Sequence, residues 1–421
     1  MAAMKKQPRT STASRSRPAA KIKPSSPSAP EPDLKAALDR VIKMMAIPGK
    51  SGGEGRIIEF IRGELTKAGV PAAALKIDNT PQHSPIGGET GGLICKLPGT
   101  LRGPRRLLMA HVDTVPLCVG CRPVLKGKFV ESADKATGLG ADDRAGAAAI
   151  LTAALEIVRR KLPHPPLTFF WAAQEEVGLF GARYVDLNLL GGPKLAFNWD
   201  GGDTDKLTIG ATGAFRLAVE ISGLASHAGG APERGVSAIS VAALAIADLQ
   251  RGGWHGDIHK NGGHGTSNVG VIQGGAATNV VTDKVTLRAE ARSHDPEFRK
   301  QIVKAIETSF KNAAQEIKNV DGKSGKVKIE SRMDYESFLL PDDSPSILAA
   351  EAGVRSIGRQ PLRSVSNGGL DANWLSARGI PTVTLGCGQV NIHTVKEQLD
   401  VAAFQRACRI ALRLATGDEE V

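Results

Sequence analysis

Leu107-Leu108-Met109-Ala110-His111-Val112-Asp113-Thr114 decides how this chain is read. Four consecutive apolar residues with no polar alternation predict a strand covered on both faces, as in a parallel sheet flanked by helices. The histidine that follows stands at the carboxyl end of that strand, where open α/β sheets place their chemistry. Three further apolar runs end the same way. Residues 167–173 lead into Gln174-Glu175-Glu176, residues 194–199 into Asp200-Gly201-Gly202, and residues 382–385 precede Asn391-Ile392-His393.

Helical patterns alternate with these runs. Asp33 predicts an N-cap for a helix carrying Leu34, Leu38, Val41, Ile42 and Met45 at helical spacing. Ile47-Pro48-Gly49 separates it from a second helix that reaches residue 70, and residues 145–158 predict an alanine-rich helix. The expected fold is α/β, a mostly parallel sheet with helices on both sides. Near Thr212 the pattern changes to strand 215–221, helix 236–249, strands 267–272 and 284–290, helix 296–318 and strand 326–331. That β-α-β-β-α-β order predicts a small antiparallel sheet with two helices on one face. The αβ pattern resumes with helices at 344–357 and 399–414. The expected organisation is a basic arm over 1–30, a main domain over 31–212 and 334–421, and an inserted α+β domain over 213–333.

The chain has 421 residues, 41% hydrophobic and 4% aromatic, and a formal net charge of +11. Seven of the positive charges (Lys5, Lys6, Arg9, Arg15, Arg17, Lys21, Lys23) lie in residues 1–30, which hold no acidic residue. The rest carries +4, so nothing in its balance singles out a nucleic acid as partner. The arm is rich in Pro, Ser and Ala and has little to bury. A solvated extension is favoured there over contact with nucleic acid or another acidic partner. No run predicts a membrane span, and the N-terminus lacks a secretory apolar core. Five cysteines, an odd number in a large chain, argue against a disulfide framework. A cytoplasmic location is expected.

His111, Asp142, Glu176, Asp200 and His393 combine two imidazoles with three carboxylates, donors that suit zinc, cobalt or manganese. Asp113 stands two residues past His111 and can hold the ring nitrogen that a metal leaves free. Asp142 lies in Gly138-Leu139-Gly140-Ala141-Asp142-Asp143-Arg144-Ala145-Gly146, at the mouth of a glycine-rich turn. A carboxylate there can bridge two cations or cap a helix; Asp143 is the second choice for the bridge. Glu175 and Glu176 repel each other unless a cation offsets one, which leaves the other to take a proton from bound water. Cys118 and Cys121 have C-x-x-C spacing without a second pair, and an inert loop is favoured over a redox pair. His255, His259 and His264 lie in a glycine-rich stretch, where a solvated loop is favoured over a third metal site.

The order H-x-D-T, G-x-D-D-x-A-G, E-E-x-G, D-G-G, S-H-A-G and G-G-L-D-A followed by H-T resembles the metallopeptidase family of peptidase T, acetylornithine deacetylase and succinyl-diaminopimelate desuccinylase. The likeness spans residues 34–415, and the D-G-G and D-D-x-A-G segments look most like the peptidase T branch. The resemblance implies a zinc-exopeptidase-like fold and two divalent ions, zinc foremost, with cobalt or manganese as substitutes. The first ion would take His111, Asp142 and Asp200, and the second Asp142, Glu176 and His393. Glu175 would be the general base. His227, in Ser226-His227-Ala228-Gly229, would cross a dimer interface to steady the oxyanion in the partner's site. Arg292 and Asn279 would hold a substrate carboxylate. The implied activity is release of the N-terminal residue of tripeptides through a metal-bridged water. A carboxypeptidase or N-acyl-amino-acid hydrolase is the alternative. A non-catalytic binding protein is disfavoured because all six key positions are filled.

Overall fold

The computed structural model describes residues 30–417, so the expected basic arm lies outside the described residues apart from Pro30. A nine-stranded sheet forms the centre of the molecule. Its middle is four parallel strands in the spatial order Leu167–Ala172, Arg106–His111, Leu195–Trp199 and Thr382–Leu385. All but the first residue of Arg106–His111 are buried, and the other three strands are buried throughout. That is why they read as unbroken apolar runs. Register aligns their ends: His111 stands opposite Ala172, and Leu385 opposite Trp199. The four segments that follow these strands therefore open on one rim.

Antiparallel strands extend the sheet on both sides. Leu93–Leu97 and Leu75–Ile77 lie beyond Leu167–Ala172, while Lys206–Ala211 and Phe338–Leu339 lie beyond Thr382–Leu385. Helices Leu34–Ala46, Ala141–Arg160 and Val401–Thr416 pack against one another. Ala141–Arg160 is the innermost, and its alanines let its neighbours approach closely. Its indole partner is Trp171, whose Nε1 donates to the Ala147 carbonyl at 3.0 Å. Asp33 caps Leu34–Ala46, accepting from the Ala36 amide at 2.9 Å.

A second, five-stranded sheet is antiparallel throughout. Its order is Gly256–Lys260, Gly263–Gly274, Lys284–Ser293, Gly213–Ser222 and Lys326–Tyr335. Helices Ala238–Arg251 and Pro296–Glu316 pack with it around a core of its own, with Leu217, Val219, Ile221, Ile302 and Phe310 among its residues. The glycine-rich stretch expected to be a solvated loop is instead a β-hairpin, because Gly256–Lys260 pairs residue by residue with Gly263–Ser267. A third, small sheet joins Pro123–Lys126 and Phe129–Ser132 to Gln398–Asp400 and Gln389–Val390.

Gly146 marks the closest approach of the innermost helix to the sheet. A methyl at its Cα would lie 2.3 Å from the Trp199 carbonyl oxygen and 2.5 Å from Asp143 Oδ1. Neither atom is the far end of a flexible side chain. Gly146→Ala is expected to destabilise the protein by about 1–3 kcal/mol, the usual range for overpacking a tight interior. Urea unfolding of the metal-free protein checks this; an unchanged midpoint would show that the helix can withdraw.

Candidate metal centre

The rim of the four parallel strands collects the predicted ligands. His111 ends its strand and is 2% exposed. Its Nδ1 lies 3.2 Å from the Asp113 carbonyl oxygen and 3.3 Å from Asp113 Oδ1, so Nε2 faces outward and meets Asp142 Oδ1 at 3.1 Å. The other oxygen of Asp142 lies 3.2 Å from Nε2 of His393. One carboxylate thus presents one oxygen to each of two imidazoles. His393 Nε2 is also 2.9 Å from Glu176 Oε2. The ligand atoms of His111, Asp142 and Glu176 lie within 4.8 Å of one another, as do those of His111, Asp143 and Asp200. Two nitrogen and several carboxylate donors converging this closely fit two metal ions.

Asp143, the second choice for a bridge, is committed elsewhere. Its carboxylate accepts from the amides of His111 (3.2 Å) and Gly146 (3.0 Å), from Gln389 Nε2 (3.0 Å) and from the Cys387 thiol (3.4 Å). Asp113 is equally occupied. It accepts from Ser51 Oγ at 2.6 Å and from the amides of Glu175 and Glu176 at 2.9 and 3.1 Å. Asp113 therefore orients His111 and also shapes the turn that presents both glutamates. Gln174, just before them, has φ 61°, and His393 has φ 60°. Left-handed backbone at non-glycine residues costs on the order of 1–3 kcal/mol and clusters at functional sites.

Two anchors escaped the sequence reading. Glu397, 2% exposed, accepts from the amides of Leu139 and Gly140, each at 2.8 Å, and of Asp142 at 3.1 Å. It fixes the glycine-rich turn that carries Asp142. Gln389 Nε2 reaches Asp143 at 3.0 Å and Asp142 and Asp200 at 3.4 Å each. Both residues lie in polar segments with no periodicity, so no sequence signal marked them. Asp371, from Gly-Gly-Leu-Asp-Ala, is 1% exposed, and neither of its carboxylate oxygens has a hydrogen-bond partner.

The electrostatics follow from burying so many carboxylates together. Burial, then repulsion from Asp142, pushes Asp200 up to about 7. Burial and the charges of Asp113 and Asp200 raise Asp371 to about 7 as well, against the pull of His111. Glu175 rises well above the usual carboxylate range through burial, with His111 offsetting part of the rise and Asp200, Asp371 and Glu176 adding to it. Asp142 goes the other way: burial opposes its ionisation, but the hydrogen bonds from His111 and His393 prevail. The same contacts, with Asp142 first and Glu176 second, raise His393 to about 10.

A cavity of about 840 Å³ opens on this centre. Glu175, Glu176 and His393 line it beside Arg216, Arg292 and Tyr335 of the five-stranded sheet. The guanidinium of Arg292 is held by Glu290, Nε to Oε1 and Nη2 to Oε2, both at 3.0 Å. His227 and Asn279 are exposed and do not line the cavity. They lie together instead, joined by Ala228 N–H to the Asn279 carbonyl at 2.9 Å. Cys118 and Cys121 are free thiols; burial raises Cys118 far above the ordinary thiol value and Cys121 to about 11, and among the described residues all five cysteines are free and buried.

Metal ligation requires a neutral imidazole and ionised carboxylates. At pH 7 the metal-free protein holds a proton on His393, whose value lies near 10, on His111, which Asp113 and Asp142 hold well above the ordinary imidazole value despite burial, and on part of the Asp200 population, whose value lies near 7. Zinc binding at pH 7 should therefore release roughly two to three protons per chain. The number should fall as pH rises through these two values, because fewer protons remain to be displaced. Calorimetric titration in buffers of different ionisation enthalpy measures it, and a zero count would mean the ligands are already deprotonated.

Comparison with known proteins agrees with this geometry. Residues 107–417 match the family model described as peptidase family M20/M25/M40. The uncharacterized protein YqjE of Bacillus subtilis is 30% identical over 381 residues, 90% of this chain and 97% of that protein. A tripeptidase from Staphylococcus aureus superposes with a TM-score of 0.83 at 30% identity, covering 92% of this chain and 98% of the other. The aminopeptidase PepT from Bacillus cereus gives a TM-score of 0.78, also at 30% identity, over 91% and 98% of the two chains. The match covers most of the chain and every segment of the rim, and the chain belongs to peptidase family M20/M25/M40.

Proposed function

We propose that this protein is a metal-dependent aminopeptidase that releases the N-terminal residue of short peptides, tripeptides foremost. The observation that carries the reading is the Asp142 carboxylate, which offers one oxygen to His111 and the other to His393, a residue that lines a cavity of about 840 Å³. The similarity to a tripeptidase and to PepT supports the choice of substrate. His111, Asp142 and Asp200 would hold one ion, and Asp142, Glu176 and His393 the other. Zinc suits this mixed nitrogen and oxygen donor set best. When bound, two such cations acidify water and polarise the scissile carbonyl.

The remaining roles belong to the chain. Asp113 holds the His111 ring through Nδ1 and keeps Nε2 turned to the centre. Glu175 accepts the proton of the attacking water and passes it to the leaving amine; a carboxyl raised by burial suits both halves of that task. Arg292, which lines the cavity, receives the substrate carboxylate, and Glu290 is the group that substrate displaces; Asn279 lies beside His227 outside this cavity and would reach that carboxylate only from a partner subunit. His227 Nδ1 accepts the amides of Gly229 (3.1 Å) and Gly230 (2.9 Å), which places its proton on Nε2 as an outward donor. A donor prepared in this way, yet outside its own chain's cavity, supports a role in a partner's oxyanion pocket. On this reading the protein is a homodimer joined through an inserted domain, residues 213–333, which also acts as a lid. Five free, buried cysteines support a reducing compartment, the cytoplasm.

Glu175→Gln should keep its metal and lose on the order of 10³-fold in kcat, as removal of a general base does. Near-normal turnover would remove Glu175 from the mechanism. With an unblocked tripeptide of three different residues, mass spectrometry of the zinc-loaded enzyme should detect the N-terminal residue first. The C-terminal residue appearing first would make the protein a carboxypeptidase, and an uncut peptide would point to N-acyl amino acids. The dimer has its own test. Glu175→Gln and His227→Ala, each inactive alone, should regain roughly a quarter of wild-type activity when subunits are exchanged, because about half of the C2 pairs are then mixed and each mixed pair carries one complete site of its two. Silence in the mixture would place His227 in its own subunit's chemistry or outside the reaction.

A further inference from the structure

We propose that Asp257, His259 and His264 form a third cation site, on the outer hairpin of the five-stranded sheet and outside the catalytic cavity. The hairpin joins Gly256–Lys260 to Gly263–Gly274 through Asn261 and Gly262, whose φ values are 50° and 78°. Two successive left-handed residues make the tight hairpin turn whose twist matches that of the strands, and Asn-Gly is its preferred pair. Turn length then fixes register, and His259 stands directly opposite His264. Asp257, two residues before His259, falls on the same face because strand side chains alternate. The backbone thus places three donors on one face, and its base is tied down by Ser267 Oγ donating to the Trp254 carbonyl at 2.5 Å.

The side chains complete the arrangement. Nε2 of His264 lies 2.8 Å from Asp257 Oδ1, and Nε2 of His259 lies 3.0 Å from Oδ2. The imidazoles stack with centroids 4.4 Å apart and planes 18° from parallel. All three ligand atoms lie within 4.8 Å of one another. Both rings aim the same nitrogen at one carboxylate. A divalent cation can replace the two Nε2 protons there, each ring then carrying its proton on Nδ1. Two imidazole nitrogens and one carboxylate oxygen select zinc, nickel or copper over magnesium or calcium. The side chains are between 49% and 68% exposed, so the ion would keep water in its open positions and bind more weakly than the catalytic pair.

The consequence is structural. The ion would staple the edge strand Gly256–Lys260 to its neighbour, two residues from Thr266, which pairs with Arg292. The site does not depend on the proposed peptidase reaction.

The experiment is metal counting on the full chain. Metal-free protein would be saturated with Zn²⁺ and desalted, and bound metal measured by mass spectrometry, with a calorimetric titration alongside. Wild type should bind one ion more than His259→Ala/His264→Ala, and Asp257→Asn should weaken that ion's binding about tenfold or more. Peptide hydrolysis should be the same in all three. Cu²⁺ added to zinc-loaded protein should give nitrogen-coupled paramagnetic resonance in wild type and none in the double variant. Equal metal counts in wild type and the double variant, or a nitrogen-coupled copper signal surviving in the variant, would overturn the site. Because the readout is a difference between variants, it stands whatever the catalytic centre holds.

Discussion

The constraint on which this molecule turns is the crowding of negative charge at the ends of four buried strands. Asp113, Asp142, Asp143, Glu175, Glu176, Asp200 and Asp371 meet around His111 and His393. Carboxylates out of water and close together cannot all ionise without compensation. The structure treats them in two ways. Asp113 is surrounded by amide and hydroxyl donors and serves as a fixed anion, whereas burial raises the proton affinity of Asp143 despite the amides it accepts. Asp200, Glu175 and Asp371 have few donors or none, and their proton affinities rise. A centre built this way is incomplete without positive charge, and divalent cations are the compact way to supply it.

Holding that charge in place draws on the whole length of the chain. Glu397 binds the amides of Leu139, Gly140 and Asp142, more than 250 positions earlier in sequence. Gln389 reaches back to Asp143 and Asp200. The segment around His393 also adds two strands, Gln389–Val390 before it and Gln398–Asp400 after it, to the small sheet begun by Pro123–Lys126 and Phe129–Ser132. The metal centre can therefore form only after the first and last thirds of the chain have met. The five-stranded sheet between them closes its own core independently.

What was legible in the sequence follows from the same physics. A parallel strand buried on both faces must be apolar throughout, and the residue after it is then conspicuous; His111 and Asp200 were found in that way. Glu397 was not, because Thr394-Val395-Lys396-Glu397 reads as a solvated polar loop although its last residue is 2% exposed. The strand Gly256–Lys260 was missed for a related reason. Ile258 is its one buried apolar residue, so it shows no alternation and is specified by its turn and its partner strand. Asn261-Gly262 carried the relevant signal, but without apolar residues on either side it did not stand out. Lys206–Ala211 and Leu362–Ser366 pair with each other across about 150 residues, which no local pattern announces.

The segment Gly368-Gly369-Leu370-Asp371-Ala372-Asn373 links the metal centre to the five-stranded sheet. Asp371 belongs to the carboxylate cluster, and two residues on Asn373 is fully buried. Asn373 Nδ2 donates to the carbonyl of Thr212 at 2.9 Å and to that of Glu336 at 2.7 Å. Those carbonyls sit on the two chain segments that lead into and out of the five-stranded sheet. Its own Oδ1 accepts the Leu370 amide at 2.9 Å, so the side chain is locked against its own turn. Glu336 is gripped from the other side by the buried Arg299, which also donates to the Ser293 carbonyl at 3.0 Å. Ser293 is the residue after Arg292, the proposed carboxylate receptor. A short segment whose last three residues are buried thus ties the charge at the strand ends to the strand that carries Arg292. Gly369 is required by the fit: a methyl there would lie 2.5 Å from the ring of Tyr335, which lines the same cavity. From Asn373 the link runs through Glu336 and Arg299 to Ser293 by hydrogen bonds, and the backbone carries it at either end to Asp371 and to Arg292.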